Sequence, residues 1–269
     1  MKRAACLLWL LALACAASAT AAERPGGAAR PPEAGVAWQD TTLDQWCKKH
    51  DIQLVVDPKG LYPLKTSHGP ITGSPAPEKI VRAYSALLVR EVSTYPDAFV
   101  RKLRLAKIVL ADDLKFDGQK RAAIPDFEHD ILHLDPREGN HSKTYQQTVA
   151  HHELFHIVDW KDDGELYEDR EWKKLNPAGF KYGEGGRFAR GADQWQLDDS
   201  IEGFLNKYST SGVEEDKAEI FANLLVRPSV VAARAAKDKV ISRKVERMKK
   251  LLHAYCAAFD ETFWKSLER

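Results

Sequence analysis

Cysteine is scarce in this chain: four in 269 residues, and two of them, Cys6 and Cys15, fall within the first 22 positions. No two cysteines are close enough for a C-x-x-C metal knuckle, which excludes that class of zinc site. Charge of one sign is also lacking, with 40 Lys and Arg against 39 Asp and Glu. A general nucleic-acid binder would carry a basic excess or stripe, so that class is excluded too. No internal repeat is visible. After the opening segment there is no apolar run of the roughly 20 residues that a spanning helix needs. What remains reads as a soluble globular chain, long enough for one substantial domain.

The opening segment belongs to a different class. Lys2 and Arg3 precede an apolar, alanine-rich run from Ala4 to Ala17. Small residues follow, and both Ala17-Ser18-Ala19 and Ala19-Thr20-Ala21 fit a signal-peptidase site. Residues 1–22 are therefore expected to be a signal peptide, giving a secreted or periplasmic, cell-envelope protein with no stable membrane insertion after cleavage. Ala12-Leu13-Ala14-Cys15 loosely resembles a lipoprotein box, with Ala where Leu is usual, so lipid anchoring at Cys15 is the lesser alternative. Cleavage leaves Cys47 and Cys256. They can form one disulfide tying the ends of the domain together, or stay as buried thiols.

Residues 23–37 are rich in Pro, Gly and Ala and read as a flexible linker, leaving 38–269 as the folded domain. Asp40-Thr41-Thr42 can cap a helix running through Lys49, with a strand at 52–56 and Pro- and Gly-rich loops over 57–76. A long helix is predicted from Pro77 to about Leu103, with Tyr95-Pro96 as its one interruption. Strands follow at 107–111, 122–124 and 131–134; Pro125 makes the second of these an edge. Asn140 and Ser142 can cap a helix over 143–160. A long connection over 161–205 leads to helices at 213–226, 229–237 and 239–265. The basic run from Lys239 to Lys250 reads as a solvated face.

The chemistry concentrates in the predicted helix at 143–160. His152-Glu153-Leu154-Phe155-His156 fits H-E-x-x-H, and residues four apart sit on one helical face, so both imidazoles can reach one metal ion. Glu153, a quarter-turn round, can contact a water on that zinc and accept its proton. Ala150, Leu154 and Ile157 offer the opposite side to a core. His151 has no histidine at four residues' spacing and reads as a hydrogen-bonding or partly exposed neighbour. Asp159 could orient a group near the site or cap a surface. A hydrolytic zinc needs a third protein ligand, and Glu215 and Glu219, one turn apart on the helix at 213–226, can supply it. One could bind the metal while the other accepts the N–H of a ligating histidine.

This combination resembles a gluzincin metallopeptidase. Tyr208, Glu215 and Glu219, spaced by seven and four, are similar to the catalytic domain of anthrax lethal factor and to the Pro-Pro endopeptidases. Glu215-Asp216-Lys217-Ala218-Glu219-Ile220-Phe221-Ala222 resembles the E-D-x-A-E-x-F-A run of bacterial zinc-binding metallopeptidases related to them. The match covers roughly residues 105–226. It implies His152, His156 and Glu215 as Zn(2+) ligands, Glu153 as general base, Tyr208 as donor to the oxyanion, and Glu219 as partner to a ligating histidine. Two positions depart from the pattern: Lys217 stands where phenylalanine is usual, and Phe155 where the H-E-L-G-H form has glycine.

The implied fold is α+β and zincin-like: a small mixed sheet whose edge strand packs on the H-E-x-x-H helix, then a mainly helical C-terminal part. A peptide or protein substrate would lie along the edge strand at 122–124, with 131–134 inside it. The insertion 161–207, with Trp172, Phe180, Tyr182 and Trp195, would form a cleft wall or a satellite core. The implied function is a secreted or envelope zinc-dependent endopeptidase. A zinc-containing binding protein on a decayed peptidase fold is the alternative. Oligomeric state has no signature in the sequence.

Overall fold

The computed structural model describes residues 42–189, 191 and 193–267. The expected signal peptide, the linker and the capping residues Asp40 and Thr41 lie outside the described residues. The chain opens with α1 (Thr42–Lys49), β1 (Gln53–Val55), β2 (Leu64–Thr66), β3 (Gly69–Pro75), α2 (Glu78–Val92) and α3 (Asp97–Leu103). The predicted helix over 77–103 is thus two helices, broken at Tyr95-Pro96. Pro96, extended at φ −60° and ψ 137°, instead precedes α3 as its cap position.

A ten-residue strand, β4 (Lys107–Phe116), organises the sheet, with β5 (Gln119–Lys120), β6 (Ala123–Asp126) and β7 (Ile131–Leu134) after it. The order is β2-β3-β4-β7-β6. The first half of β4 pairs in parallel with β1 and β7, and its second half pairs antiparallel with β3 and β5. β6 runs antiparallel to β7 and forms the edge, where Pro125 costs no ladder bond on its open side. The hairpin β2–β3 is where loops were expected over 57–76. Gly69, at φ +133°, and a bond from the Thr66 hydroxyl to the Gly69 carbonyl make its turn. Of the Pro and Gly that suggested loops, Gly69 and Pro70 belong to its turn, Pro75 to its end, and Gly73 to the register shift between Thr72 and Ser74.

Side chains alternate across the sheet. Ile108, Leu110, Leu132 and Leu134 face the main core, while Val109, Ala111 and Ile131 face a small cluster under Tyr62 and Leu64. On the main-core side lies α4 (Lys143–Asp163), started by Ser142, whose hydroxyl accepts from Tyr145 N at 3.2 Å, and ended by Gly164 at φ +78°. The sequence suggested one core-facing side for this helix. In fact its residues from Thr148 to Asp159 are all buried, because α4 is enclosed by α2, α3, β6, β7 and α6 (Val213–Val226).

Between α4 and α6 lie the short α5 (Arg170–Lys173) and a 3-10 turn at Tyr208–Thr210. The C-terminal part is helical: α7 (Pro228–Ala235), α8 (Lys239–Tyr255) and α9 (Glu261–Leu267). The single helix expected over 239–265 breaks at Cys256, which is extended at φ −147° and ψ 114°. The whole is α+β, with a mixed sheet, an edge strand against the H-E-x-x-H helix and a helical C-terminal part. No helix among the described residues is long and apolar enough to cross a membrane.

The disulfide between Cys47 and Cys256 is not formed; both are buried free thiols in the main core. Burial, with Asp44 nearby, pushes the Cys47 thiol up to about 12, so the reactive thiolate form is suppressed.

Candidate metal centre

Helical spacing places His152 and His156 one turn apart with their Nε2 atoms 3.1 Å from each other. The packing of α6 on α4 then brings Glu215 Oε2 to 3.1 Å from His152 Nε2 and 3.6 Å from His156 Nε2. Ligand atoms about 2.0–2.1 Å from a tetrahedral zinc stand about 3.4 Å apart. The three measured edges bracket that value, so this donor set fits a zinc ion; among the described residues it is the one such group. Two imidazole nitrogens and a carboxylate oxygen are also the donor types zinc prefers.

Glu219 takes a different place, on the Nδ1 side of His152. Its Oε1 lies 2.9 Å from His152 Nδ1, and its Oε2 accepts from Asn206 Nδ2 at 2.7 Å and Asn223 Nδ2 at 3.1 Å. An Nδ1–H donated to Glu219 leaves the Nε2 lone pair facing Glu215 and His156, the tautomer a metal ligand requires. Burial opposes charge on His152, but its bonds to Glu215 and Glu219 overrule it and raise the imidazole to about 10. Two carboxylates around one ring thus call for a positive charge there. Burial lowers His156 to about 4, against the pull of Glu215, keeping it in the neutral form that binds metal. On Glu215 burial works upward, and bonds to His152 and His156 more than reverse it, holding the carboxylate ionised.

Glu153 is 2% exposed, and its Oε2 has no hydrogen-bond partner among the described residues. Burial pushes it up to about 8, with His152 and Arg121 pulling down and Glu215 and Glu219 pushing up. A carboxylate in that range is well matched to taking a proton near neutral pH. Tyr208 donates its hydroxyl to Glu215 Oε1 at 3.2 Å. Burial, with Glu215 and Glu153 beside it, holds that hydroxyl well above the ordinary tyrosine range, so it keeps the proton it would donate.

The centre is closed over. His152, Glu153, His156, Tyr208 and Glu215 are each 2% exposed or less. A glycine-rich strap runs along the Tyr208 turn, with Gly183 N bonded to Thr210 O at 3.0 Å and Gly185 N to Ser211 O at 2.7 Å. A Cβ on Gly186 would lie 2.2 Å from both Glu215 Oε1 and Tyr208 Oη, so no larger residue fits without displacing them. The edge strand β6 is likewise buried along all four residues.

Several residues singled out one by one in the sequence turn out to be partners. Lys217 and Asp159 pair with each other at 2.7 Å, both buried, across the α4–α6 seam. Phe155 packs against Phe221 across the same seam, ring centroids 5.0 Å apart. Both residues that depart from the resembled pattern thus belong to the α4–α6 contact, which also brings His152, His156 and Glu215 together. His151 is a buried hydrogen-bonding neighbour, held between the Tyr95 hydroxyl at 2.5 Å and Glu91 at 3.1 Å. Trp172 and Tyr182 from the insertion donate to Asp216 at 2.8 and 2.6 Å. The same Asp216 oxygen meets Lys244 at 2.7 Å. Lys244 is fully buried and not on a solvated face. Sequence reasoning missed Asn206, Arg121 and the strap; only Gly183-Glu184-Gly185-Gly186 carried a signal, a run of glycines where backbone must approach closely.

No family model matches the chain, and no curated protein matches it by sequence. Among solved structures it is similar to one described as a "putative zinc-binding metallo-peptidase" from Bacteroides caccae. The identity is 19%, the likeness covers 79% of this chain and 84% of that one, and the TM-score is 0.49.

Proposed function

We propose that the chain is a zinc-dependent endopeptidase. The observation that carries this reading is the convergence of His152 Nε2, His156 Nε2 and Glu215 Oε2 to within 3.1–3.6 Å of one another. A zinc ion held by those three groups supplies Lewis acidity, lowering the pKa of water and polarising a carbonyl. Glu153, one residue from a ligand and free at Oε2, accepts the proton released as water adds to the peptide carbonyl, and returns it to the leaving amine. Tyr208 turns its hydroxyl from Glu215 to the oxygen of the attacked carbonyl, where the developing negative charge strengthens the bond. Glu219 holds His152 in the ligating tautomer throughout. A binding protein has need of neither Glu153 nor Tyr208, so the intact set favours catalysis over the decayed alternative.

The reading extends to location and substrate. The basic start, the apolar run and the small-residue boundary of residues 1–22 support export to the envelope or beyond. A peptide or protein substrate would add in extended form to the edge strand β6, through main-chain hydrogen bonds.

Metal analysis tests the foundation. The purified protein is expected to hold one zinc per chain, to lose peptide hydrolysis on treatment with a chelator, and to regain it with added zinc. His156→Ala should purify with far less than one equivalent. A wild-type protein that takes up no zinc would end the proposal. Tyr208→Phe isolates the hydroxyl: kcat is expected to fall about 10²-fold with little change in KM. A rise in KM at constant kcat would instead make Tyr208 a substrate-binding group.

A further inference from the structure

We propose that Asn206 is a positioning residue that sets the zinc ligand His152 and the Tyr208 hydroxyl in a single act; this rests on the zinc-peptidase reading above. The side chain is completely buried. Its amide nitrogen donates to Glu219 Oε2 at 2.7 Å, the carboxylate whose other oxygen holds His152 Nδ1 at 2.9 Å. Its amide oxygen accepts from Ser209, from the backbone N at 2.9 Å and from the hydroxyl at 2.8 Å. Ser209 is the next residue of the turn that carries Tyr208. One planar amide therefore joins the group that orients a ligand to the turn that aims the oxyanion donor.

The chemistry requires an amide. A carboxylate at 206 could still accept from Ser209 but would have no proton for Glu219. An apolar residue could serve neither side and would leave buried polar groups unpaired. The backbone around Asn206 is fixed as well, through its bridge to Leu197 and the bond from Asp198 N to Leu205 O at 2.9 Å. Asn223 offers an internal comparison. It also donates to Glu219 Oε2, at 3.1 Å, but its other bond is to the Glu219 carbonyl in its own helix. Asn223 can thus steady Glu219 without reaching the Tyr208 turn.

The test compares zinc affinity, by competition with a chromogenic chelator, with kcat and KM on a peptide substrate. Asn206→Leu, close in size, is expected to weaken zinc binding by about 10- to 100-fold. At saturating zinc its kcat should remain lowered by about tenfold or more, because the Tyr208 turn is loosened. Asn223→Leu should weaken zinc binding alone, with kcat recovered at saturating zinc. Asn206→Asp sets two carboxylates face to face and should also lose affinity. Adding Glu219→Gln exchanges amide and carboxylate across the same bond, and should recover part of the affinity lost in Asn206→Asp but not all of it, because Asn223 Nδ2 then faces the new amide nitrogen.

A purely structural role would not follow that exchange. Wild-type zinc affinity and kcat in Asn206→Leu would overturn the proposal. If that variant does not fold, equal affinities for Asn206→Asp and wild type would overturn it. Failure of the wild type to bind zinc, by contrast, would sink the peptidase reading itself.

Discussion

Glu153→Gln is expected to keep one zinc per chain and to lower peptide hydrolysis by between about 10² and 10⁴-fold. The substitution changes almost nothing but the capacity to take a proton. Gln matches Glu in volume and shape, and residue 153 is not one of the three converging groups, His152, His156 and Glu215. Burial already disfavours charge at this position, raising the carboxyl to about 8. A neutral amide removes that burden, so the variant should be no less stable than wild type. Zinc content by elemental analysis, unfolding by denaturant, and turnover on a peptide library together give the answer. Turnover close to wild type would strip Glu153 of its role as base and would point to another proton acceptor.

Lys244→Met is expected to cost about 3–5 kcal/mol in unfolding free energy. The lysine Nζ lies 2.7 Å from Asp216 Oδ2 and 2.7 Å from the Gly203 carbonyl, and 3.7 Å from the centre of the Phe204 ring, with no exposure at all. Methionine fills the space but leaves Asp216 as a buried charge with only the neutral donors Trp172 and Tyr182. A buried ion pair contributes modestly as a pair, yet losing one partner strands the other. Because Asp216 adjoins Glu215, the loss should also be felt as weaker zinc retention. Chemical denaturation of the metal-free protein measures the first effect. Lys250→Ala serves as the control: its pair with Glu246 on the same helix is exposed, and no measurable change is expected. Equal stability of both variants would mean that the buried cluster is not what anchors α6.

The sequence announced those parts of the site in which spacing carries geometry. His152 and His156 at four residues, and Glu215 and Glu219 at four, are fixed by helical periodicity before any tertiary contact forms. The same holds for the broad outline, with strands at 107–111 and 131–134, an edge at 122–124 and a helix beginning after Ser142. Long-range partnerships were not legible. Asp159 and Lys217 lie 58 residues apart, and nothing in either one's neighbourhood names the other. Asn206 sits in an irregular segment, where neither period applies and only the assembled neighbours reveal its use.

Local composition misled in three places. Pro and Gly around 57–76 concealed a hairpin: β2 has only three residues, and the seven of β3 include two Gly, two Pro and a single large apolar residue, Ile71. A run of basic residues over 239–250 concealed one lysine turned inward to a carboxylate. For Cys47 and Cys256, the expectation of export with two cysteines remaining suggested a bridge; packing instead gives each thiol a buried seat in the core. In each case a property averaged over a segment was asked to decide the fate of individual side chains.

The strap at 183–186 has a consequence for how any polypeptide would reach the chemistry. Where Gly183 and Gly185 meet the Tyr208 turn, two main-chain hydrogen bonds hold it, each worth about 1 kcal/mol net, and its glycines place no side chain over the ligands. Were this ribbon to lift, it would give up those two bonds, while Tyr182 at its flank stays tied to the interior through Asp216. Entry would then be rationed by how far and how often it parts, sorting small molecules, loose peptides and folded proteins by girth before any bond is touched.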